Sequence, residues 1–466
     1  MLISRRHLAF ILATVLCGMS RPASAQRPVC AGLERTVDSL VAEAIREGPM
    51  AGMSVAVLCG RDTVVMKGYG FADVENEVPA TAHTVYRIGS ITKQFTAAAV
   101  LQLVEQGKLS LDDSVGKHLP TIPSRWRGVP IRQLLNHTSG IPSYTSAGPR
   151  WTERMRLDLA HDSLIGIVGN DSMDFAAGSK WRYNNTGYYL LGMVVERLSG
   201  NSYTEFVRDK LANPLGLRAT MYCDTRPIIK KRAQGYQVGS DQKLINADPI
   251  GMGQPFSAGA LCSTVGDLVV WQRALAAGRV VKPVSYTAMT TPIGVAVGSA
   301  YGYGLAADTL GGRKRVQHGG GINGFNSMLQ YYPVEAISIA VLGNTNGPWV
   351  DRIADNIARA ALGVKLVPAP PKLRDLATNA EDRARFSGKY RLALPSGPLE
   401  LRVFEREGKL MMQGAGQPEI PLLYQGNSSF GASFDPSLRL TFAVGTPAPK
   451  LTLSQGGGTF DGPRVR

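Results

Sequence analysis

Ser90 and Lys93 stand three residues apart at the head of a long apolar stretch. On a helix such residues share a face, so the amine can reach the hydroxyl. Gly89 precedes the pair, and Phe95, Ala98, Ala99, Leu103 and Val104 continue at helical spacing until Gly107. Ser90 then sits in the first turn, where free N–H groups and the helix dipole favour developing negative charge. The same positive end discourages protonation of Lys93 and suits it to act as a base. This is the layout of a serine nucleophile with a lysine partner. Ser-x-x-Lys recurs at Ser114–Lys117 and Ser240–Lys243, but neither opens an amphipathic helix.

A nucleophile needs a second proton-handling group and something facing it across a cleft. Tyr183-Asn184-Asn185, the only Tyr-x-Asn in the chain, precedes Thr186-Gly187 at the mouth of a helix. A phenol near Lys93 can relay the serine proton, and Asn185 can hold the substrate. His318-Gly319-Gly320-Gly321, the only His-x-Gly, follows a strand-like stretch. Its glycines let a substrate lie against the backbone, and the amide of Gly321 can serve an oxyanion. Residues 319–324 also fit G-x-G-x-x-G, yet Phe325 to Tyr332 reads as a strand where a dinucleotide fold needs a helix. His137-Thr138-Ser139-Gly140 reads as a structural turn. There is no G-x-S-x-G, H-E-x-x-H or P-loop.

The 466 residues carry a formal charge of +15, with 44% hydrophobic and 19% charged residues. The basic residues are scattered without aromatic interleaving, which argues for a solvated basic surface and against nucleic acid. Arg5-Arg6, the apolar run from His7 to Met19 and Ala23-Ser24-Ala25 predict a signal peptide over 1–25, with a weak twin-arginine character. Leu16 before Cys17 argues against a lipid anchor. No later stretch reads as transmembrane, so an exported protein, periplasmic or extracellular, is expected. Cleavage leaves Cys30, Cys59, Cys223 and Cys262, an even set that permits disulfides in any of three pairings. Without C-x-x-C spacing or a histidine cluster, no metal site is expected.

Strand patterns at Val55–Leu58, Val64–Gly68, Arg315–Gln317, Ser327–Tyr332 and Ile337–Leu342 bracket helical runs after Ser90, over Thr186–Leu198 and over Val265–Ala277. Strands at both ends with helices between predict an antiparallel sheet closed by the two ends of the region, an α/β class. A helix ending near Leu362 follows Gly347. Val367-Pro368-Ala369-Pro370-Pro371 is a stiff linker. Beyond it, eight short strand-like segments from Gly388 to Val465 predict a small antiparallel barrel.

The three motifs in this order resemble the serine β-lactamase and penicillin-binding-protein superfamily, in the branch of class C β-lactamases, D-stereospecific peptidases and family VIII esterases. Leu134–Ile141, Tyr183–Tyr188 and Gly319–Phe325 add to the likeness. The resemblance implies a serine hydrolase domain over 35–365, a linker over 366–383 and a lipocalin-like barrel over 384–466. It implies acylation of Ser90, Lys93 as base, Tyr183 in proton transfer, Asn185, His318, Gly319 and Gly320 at the substrate, and an oxyanion hole from the amides of Ser90 and Gly321. No cofactor is implied. His318 stands where many relatives have lysine, so a neutral imidazole replaces a fixed cation and a pH shoulder is expected near ~6.5, displaced by its surroundings. In such a fold Cys223 and Cys262 lie in neighbouring elements and Cys30 and Cys59 near the N-terminal edge, which implies those two pairs. The expected substrate is an ester or a short D-amino-acid peptide or amide, with peptidoglycan as one source. A β-lactamase and a non-catalytic envelope-binding protein are the alternatives.

Overall fold

The computed structural model describes residues 30–465 except 240–242, 370–372, 395–396, 415–418, 433–434 and 456–457. The expected signal peptide, Cys17, Ser240, Pro370-Pro371 and Phe434 lie outside the described residues.

Seven strands form the main sheet: β1 (Gly52–Cys59), β2 (Asp62–Asp73), β3 (Val78–Pro79), β4 (Ala306–Leu310), β5 (Arg313–Ile322), β6 (Phe325–Tyr332) and β7 (Ile337–Gly343). Their order is β3-β2-β1-β7-β6-β5-β4, so the first hairpin of the chain pairs with the last strands of the region. Met53 opposes Gly343 and Cys59 opposes Ile337 in the antiparallel pair that closes the sheet. This is the expected antiparallel sheet. β1 and β7 are buried along almost their whole length and mostly apolar, because both of their faces are covered. Val55, Val57, Ile339 and Val341 pack with helices α1 (Leu33–Glu47) and α5 (Trp349–Ala361). Ala56, Ala340 and Leu342 join the larger core on the other face.

That larger core holds α2 (Thr92–Glu105), α3 (Asn185–Ser199) and α4 (Val265–Ala276). α2 is buried on nearly all sides, which its small and apolar residues Ala97, Ala98, Ala99, Val100 and Leu101 allow. Phe95 stacks on Trp271 with ring centroids 3.7 Å apart, and the Trp271 indole donates to Gln94. Gly107 and Gly200, both at positive φ, lie just beyond the ends of α2 and α3, as their sequence positions predict. β5 differs from expectation. It runs through His318 and the three glycines, which are therefore part of the strand instead of a loop after it.

The barrel consists of eight strands, from Gly388–Leu394 to Gly458–Val465, closed by pairing of Lys389 with Val465 and Tyr390 with Arg464. Residues two apart, such as Tyr390 and Leu392 or Leu401 and Val403, join one core with Phe386, Phe430 and Phe442. The Phe386, Phe430 and Phe442 rings lie within 4.8–5.6 Å of one another and fill this interior.

Cys30 is bonded to Cys59 and Cys223 to Cys262. The second bond lies in a three-stranded sheet in which Cys262 pairs with both Arg87 and Met221. Arg87 is two residues from the turn that carries Ser90, so this bond braces the chain entering that turn. It closes a separation of 39 residues, for which chain entropy gives about 4 kcal/mol. Urea unfolding of the Cys223→Ala, Cys262→Ala protein should show a loss of that order; a loss below about 1 kcal/mol would show that the bond braces nothing.

Candidate active site

Ser90 lies in a 3-10 turn, Gly89–Ile91, that leads directly into α2. Gly89 has φ +48°, and a Cβ there would meet the Gly321 amide nitrogen at 2.8 Å. A Cβ on Gly320 would sit 2.1 Å from the Ile88 carbonyl oxygen. Gly89 and Gly320 thus let β5 lie against the turn, and Ser327 anchors the contact by donating to the Ile88 carbonyl at 2.8 Å. The amides of Ser90 and Gly321 come from these two apposed backbone segments.

One turn on, Lys93 is wholly buried. Its Nζ lies 2.8 Å from Asn185 Oδ1, 2.8 Å from the Ala258 carbonyl oxygen and 3.1 Å from Ser90 Oγ. Burial holds its pKa well below the ordinary lysine value. A neutral amine has two N–H bonds and one lone pair. The amide oxygen and the carbonyl can only accept, so both hydrogens go to them and the lone pair is left for the Ser90 hydroxyl. The Asn185 amide is oriented by its Nδ2, which donates to Thr145 Oγ1 at 3.0 Å.

Tyr183 places its ring 4.8 Å from the Lys93 nitrogen. Its buried hydroxyl makes no hydrogen bond of ordinary geometry among the described residues. Burial raises the phenol's pKa, and the neighbouring Ser90 hydroxyl offsets part of the rise. The group is therefore a phenol, able to donate a proton, at neutral pH.

His318 is also buried. Its Nδ1 lies 2.5 Å from the Gly319 carbonyl oxygen and its Nε2 2.9 Å from the Tyr301 hydroxyl. A carbonyl only accepts, so Nδ1 carries the hydrogen and Nε2 accepts from Tyr301. Burial, then the nearby Lys93, push its pKa down to about 4. The displacement left open by the sequence is thus downward, and the imidazole is neutral with both nitrogens engaged inside the protein.

A cavity of about 230 Å³ opens over Ser90, with Asn185, Thr145, Gly321 and Asn323 in its lining and Trp151 and Ile250 among its apolar walls. Ser90, Asn185 and Gly321 reach it directly. Lys93, Tyr183, His318, Gly319 and Gly320 stand behind that lining.

Several contributors carried no signal of their own in the sequence. Thr145, Tyr301 and the Ala258 carbonyl enter only through tertiary contacts. His137-Thr138-Ser139-Gly140 proves more than a turn: its backbone carbonyls at His137, Thr138 and Gly140 accept from Arg182, Gly178 and Asp174. The His137 ring accepts from the Asn184 amide at 3.1 Å and packs 4.3 Å from the Tyr183 ring. This stretch is the template on which Tyr183 and Asn185 are held. Asn184 caps α3 by accepting from Gly187 at 2.6 Å, which fixes Asn185 as the first residue of that helix.

A sequence profile of the family described as Beta-lactamase matches residues 37–364, and the chain belongs to that family. Protein flp of Staphylococcus aureus (strain MW2) is 28% identical over 335 residues, 70% of this chain and 66% of the relative, so the chain spans just under two thirds of that relative's length. A D-stereospecific amidohydrolase from Streptomyces sp. is 30% identical with a TM-score of 0.60 over 70% of this chain and 98% of that one. An octameric penicillin-binding protein homologue from Pyrococcus abyssi is 26% identical with a TM-score of 0.63 over 92% and 99%. The fold and the family of serine hydrolases are thereby shown.

The close approach of Gly320 to Ile88 makes a sharp prediction. Gly320→Ala must push β5 from the Ser90 turn, and an ångström of misplacement costs about 100-fold in kcat/KM. Gly319→Ala meets first the mobile end of Met328 at 3.2 Å and should lose less than about tenfold. Equal losses in p-nitrophenyl butyrate hydrolysis, with both proteins folded by circular dichroism, would contradict this reading.

Proposed function

We propose that this member of the β-lactamase family is an exported serine hydrolase that works through an acyl-Ser90 intermediate on esters or on short D-amino-acid peptides and amides. The observation that carries it is the buried Lys93 amine, 3.1 Å from Ser90 Oγ, with two further acceptors at 2.8 Å and burial disfavouring its charged form.

Lys93 takes the Ser90 proton as Oγ attacks the carbonyl carbon of the substrate. Negative charge develops on the carbonyl oxygen, and the amides of Ser90 and Gly321 receive it. The Tyr183 phenol, held protonated by burial, donates to the leaving group. Water then attacks the acyl-enzyme carbonyl and gives its proton to the Tyr183 phenolate, while protonated Lys93 returns its proton to Ser90 Oγ as the acyl bond breaks. Asn185 orients both Lys93 and the substrate from the cavity wall. His318 is a positioning residue in this scheme: through Tyr301 and its own strand it holds the Gly319–Gly321 edge.

Amide and peptide substrates gain support from the likeness to a D-stereospecific amidohydrolase. Export gains support from two disulfides, which belong to oxidising compartments, and no described helix is long and apolar enough to cross a membrane. The β-lactamase alternative gains less from the site, because neutral His318 brings no fixed charge to it.

Ser90→Ala should abolish turnover of p-nitrophenyl esters and D-amino-acid amides while the protein stays folded, and a fluorophosphonate should label the wild type alone. Full activity in that variant would sink the mechanism, and absence of labelling and turnover in the wild type would leave a binding protein.

The pH profile provides a second check. Lys93 must be neutral to act, so kcat/KM rises as pH passes through its depressed pKa and reaches its plateau well below pH 10.5. His318 gains a proton only as pH falls towards about 4, so it should add no limb near pH 6.5. A limb near 6.5 that vanishes in His318→Gln would refute the neutral, engaged imidazole.

A further inference from the structure

A second cavity, of about 160 Å³, adjoins the first, with Asn323 lining both. Arg87 and Arg232 line it, with Phe325 and Asp248. The Arg87 guanidinium lies 5.7 Å from the Phe325 ring centroid and makes no hydrogen bond or ion pair among the described residues. Its nitrogens are nevertheless not among the buried groups sealed without a partner, so they open towards the cavity. Arg232 spends one N–H on the Asp224 carbonyl at 3.2 Å, and its charge repels that of Arg87. Asp248 makes no ion pair with either arginine among the described residues; its carboxylate lies 3.5 Å from Arg156. Two like charges converging on one small cavity, one of them largely withdrawn from water, are an arrangement that a bound anion relieves.

We propose that the Arg87–Arg232 cavity is a subsite for a carboxylate of the substrate, several bonds from the carbonyl attacked by Ser90. The proposal rests on the hydrolase reading and narrows it: the preferred acyl donors are acidic esters or peptides, with the anion bound beside the nucleophile instead of at His318. The cavity is too small for a whole substrate. Planar guanidinium groups match a carboxylate with paired N–H donors. Arg87 is three residues before Ser90, which keeps the two sites within about 10 Å. A chain laid along Ile322 and Asn323 reaches from one to the other.

The test uses the full chain and two matched pairs of esters. Mono-p-nitrophenyl glutarate against p-nitrophenyl butyrate puts the carboxylate on the acyl side; 3-carboxyphenyl acetate against phenyl acetate puts it on the leaving group. In one pair the wild type should favour the acid, and Arg232→Gln should lower that ratio of kcat/KM about tenfold, chiefly through KM. Arg87→Gln should do the same; should it fail to fold, the exposed Arg232 carries the result. Ratios unchanged in both pairs overturn the subsite. Binding of phenyl hydrogen glutarate to the Ser90→Ala protein, measured calorimetrically with and without Arg232→Gln, separates the two readings. The same measurement is made with 3-carboxyphenyl acetate: tenfold weaker binding of either acid with Arg232→Gln supports the subsite even where turnover fails, and equal binding of both acids overturns it even where Ser90 is the nucleophile.

Discussion

A lysine amine sealed inside a protein is expensive as a cation and tolerable as a base. Much of the larger core follows from keeping Lys93 in the second condition. α2 is enclosed on almost all sides, so water cannot solvate the ammonium. Asn185 and the Ala258 carbonyl satisfy both hydrogens of the neutral amine. The rings of Tyr183 and Tyr188 stand 4.8 and 5.5 Å from the nitrogen and exclude further polar partners from that side. The same low polarity keeps Tyr183 protonated and both His137 and His318 neutral. One burial thus sets four protonation states, and those of Lys93 and Tyr183 are the ones the proposed proton path needs.

The second constraint is the contact between the Ser90 turn and β5. Backbone meets backbone there without intervening side chains, which is why glycines occupy 89 and 320. The Ser327 hydroxyl and the sheet fix the spacing from behind. An oxyanion hole needs donors that do not move as charge develops. A central sheet covered by helices on both faces supplies that rigidity, and the Cys223–Cys262 bond adds to it from the other side of the turn.

Much of this was legible in the sequence because it is local. The helix after Ser90, the β1–β2 hairpin and the eight barrel strands are carried by periodicity and by Gly, Pro and Asn at their ends. Ser90, Lys93, Tyr183, Asn185 and Gly321 stood out as motifs, and the structure brings them together. What was not legible is tertiary. β5 continues through Gly319–Gly321 because β6 pairs with it residue for residue, while three glycines in a row read as a break. α1 has apolar residues at helical spacing, but nothing in that spacing says that it packs on a helix 300 residues later. Tyr301 and Thr145 sit in stretches without a pattern, and their roles exist only once Asn185 and His318 are beside them. His137 looked like a turn residue because its contacts are with a loop more than 40 residues away.

The placement of positive charge ties these threads together. A permanent cation at position 318 would act on Lys93, since charge at His318 and charge at Lys93 disfavour each other across a poorly solvated interior. Neutral imidazole removes that tension, but it also leaves the nucleophile's cavity without a fixed charge for an acidic substrate. Arg87 and Arg232 lie beyond Asn323, outside the enclosed group of Lys93, Tyr183 and His318. Neither arginine is among the charges that depress Lys93 or His318. The protein can therefore attract an anion next to the nucleophile while the proton-handling groups keep the protonation states that burial gives them.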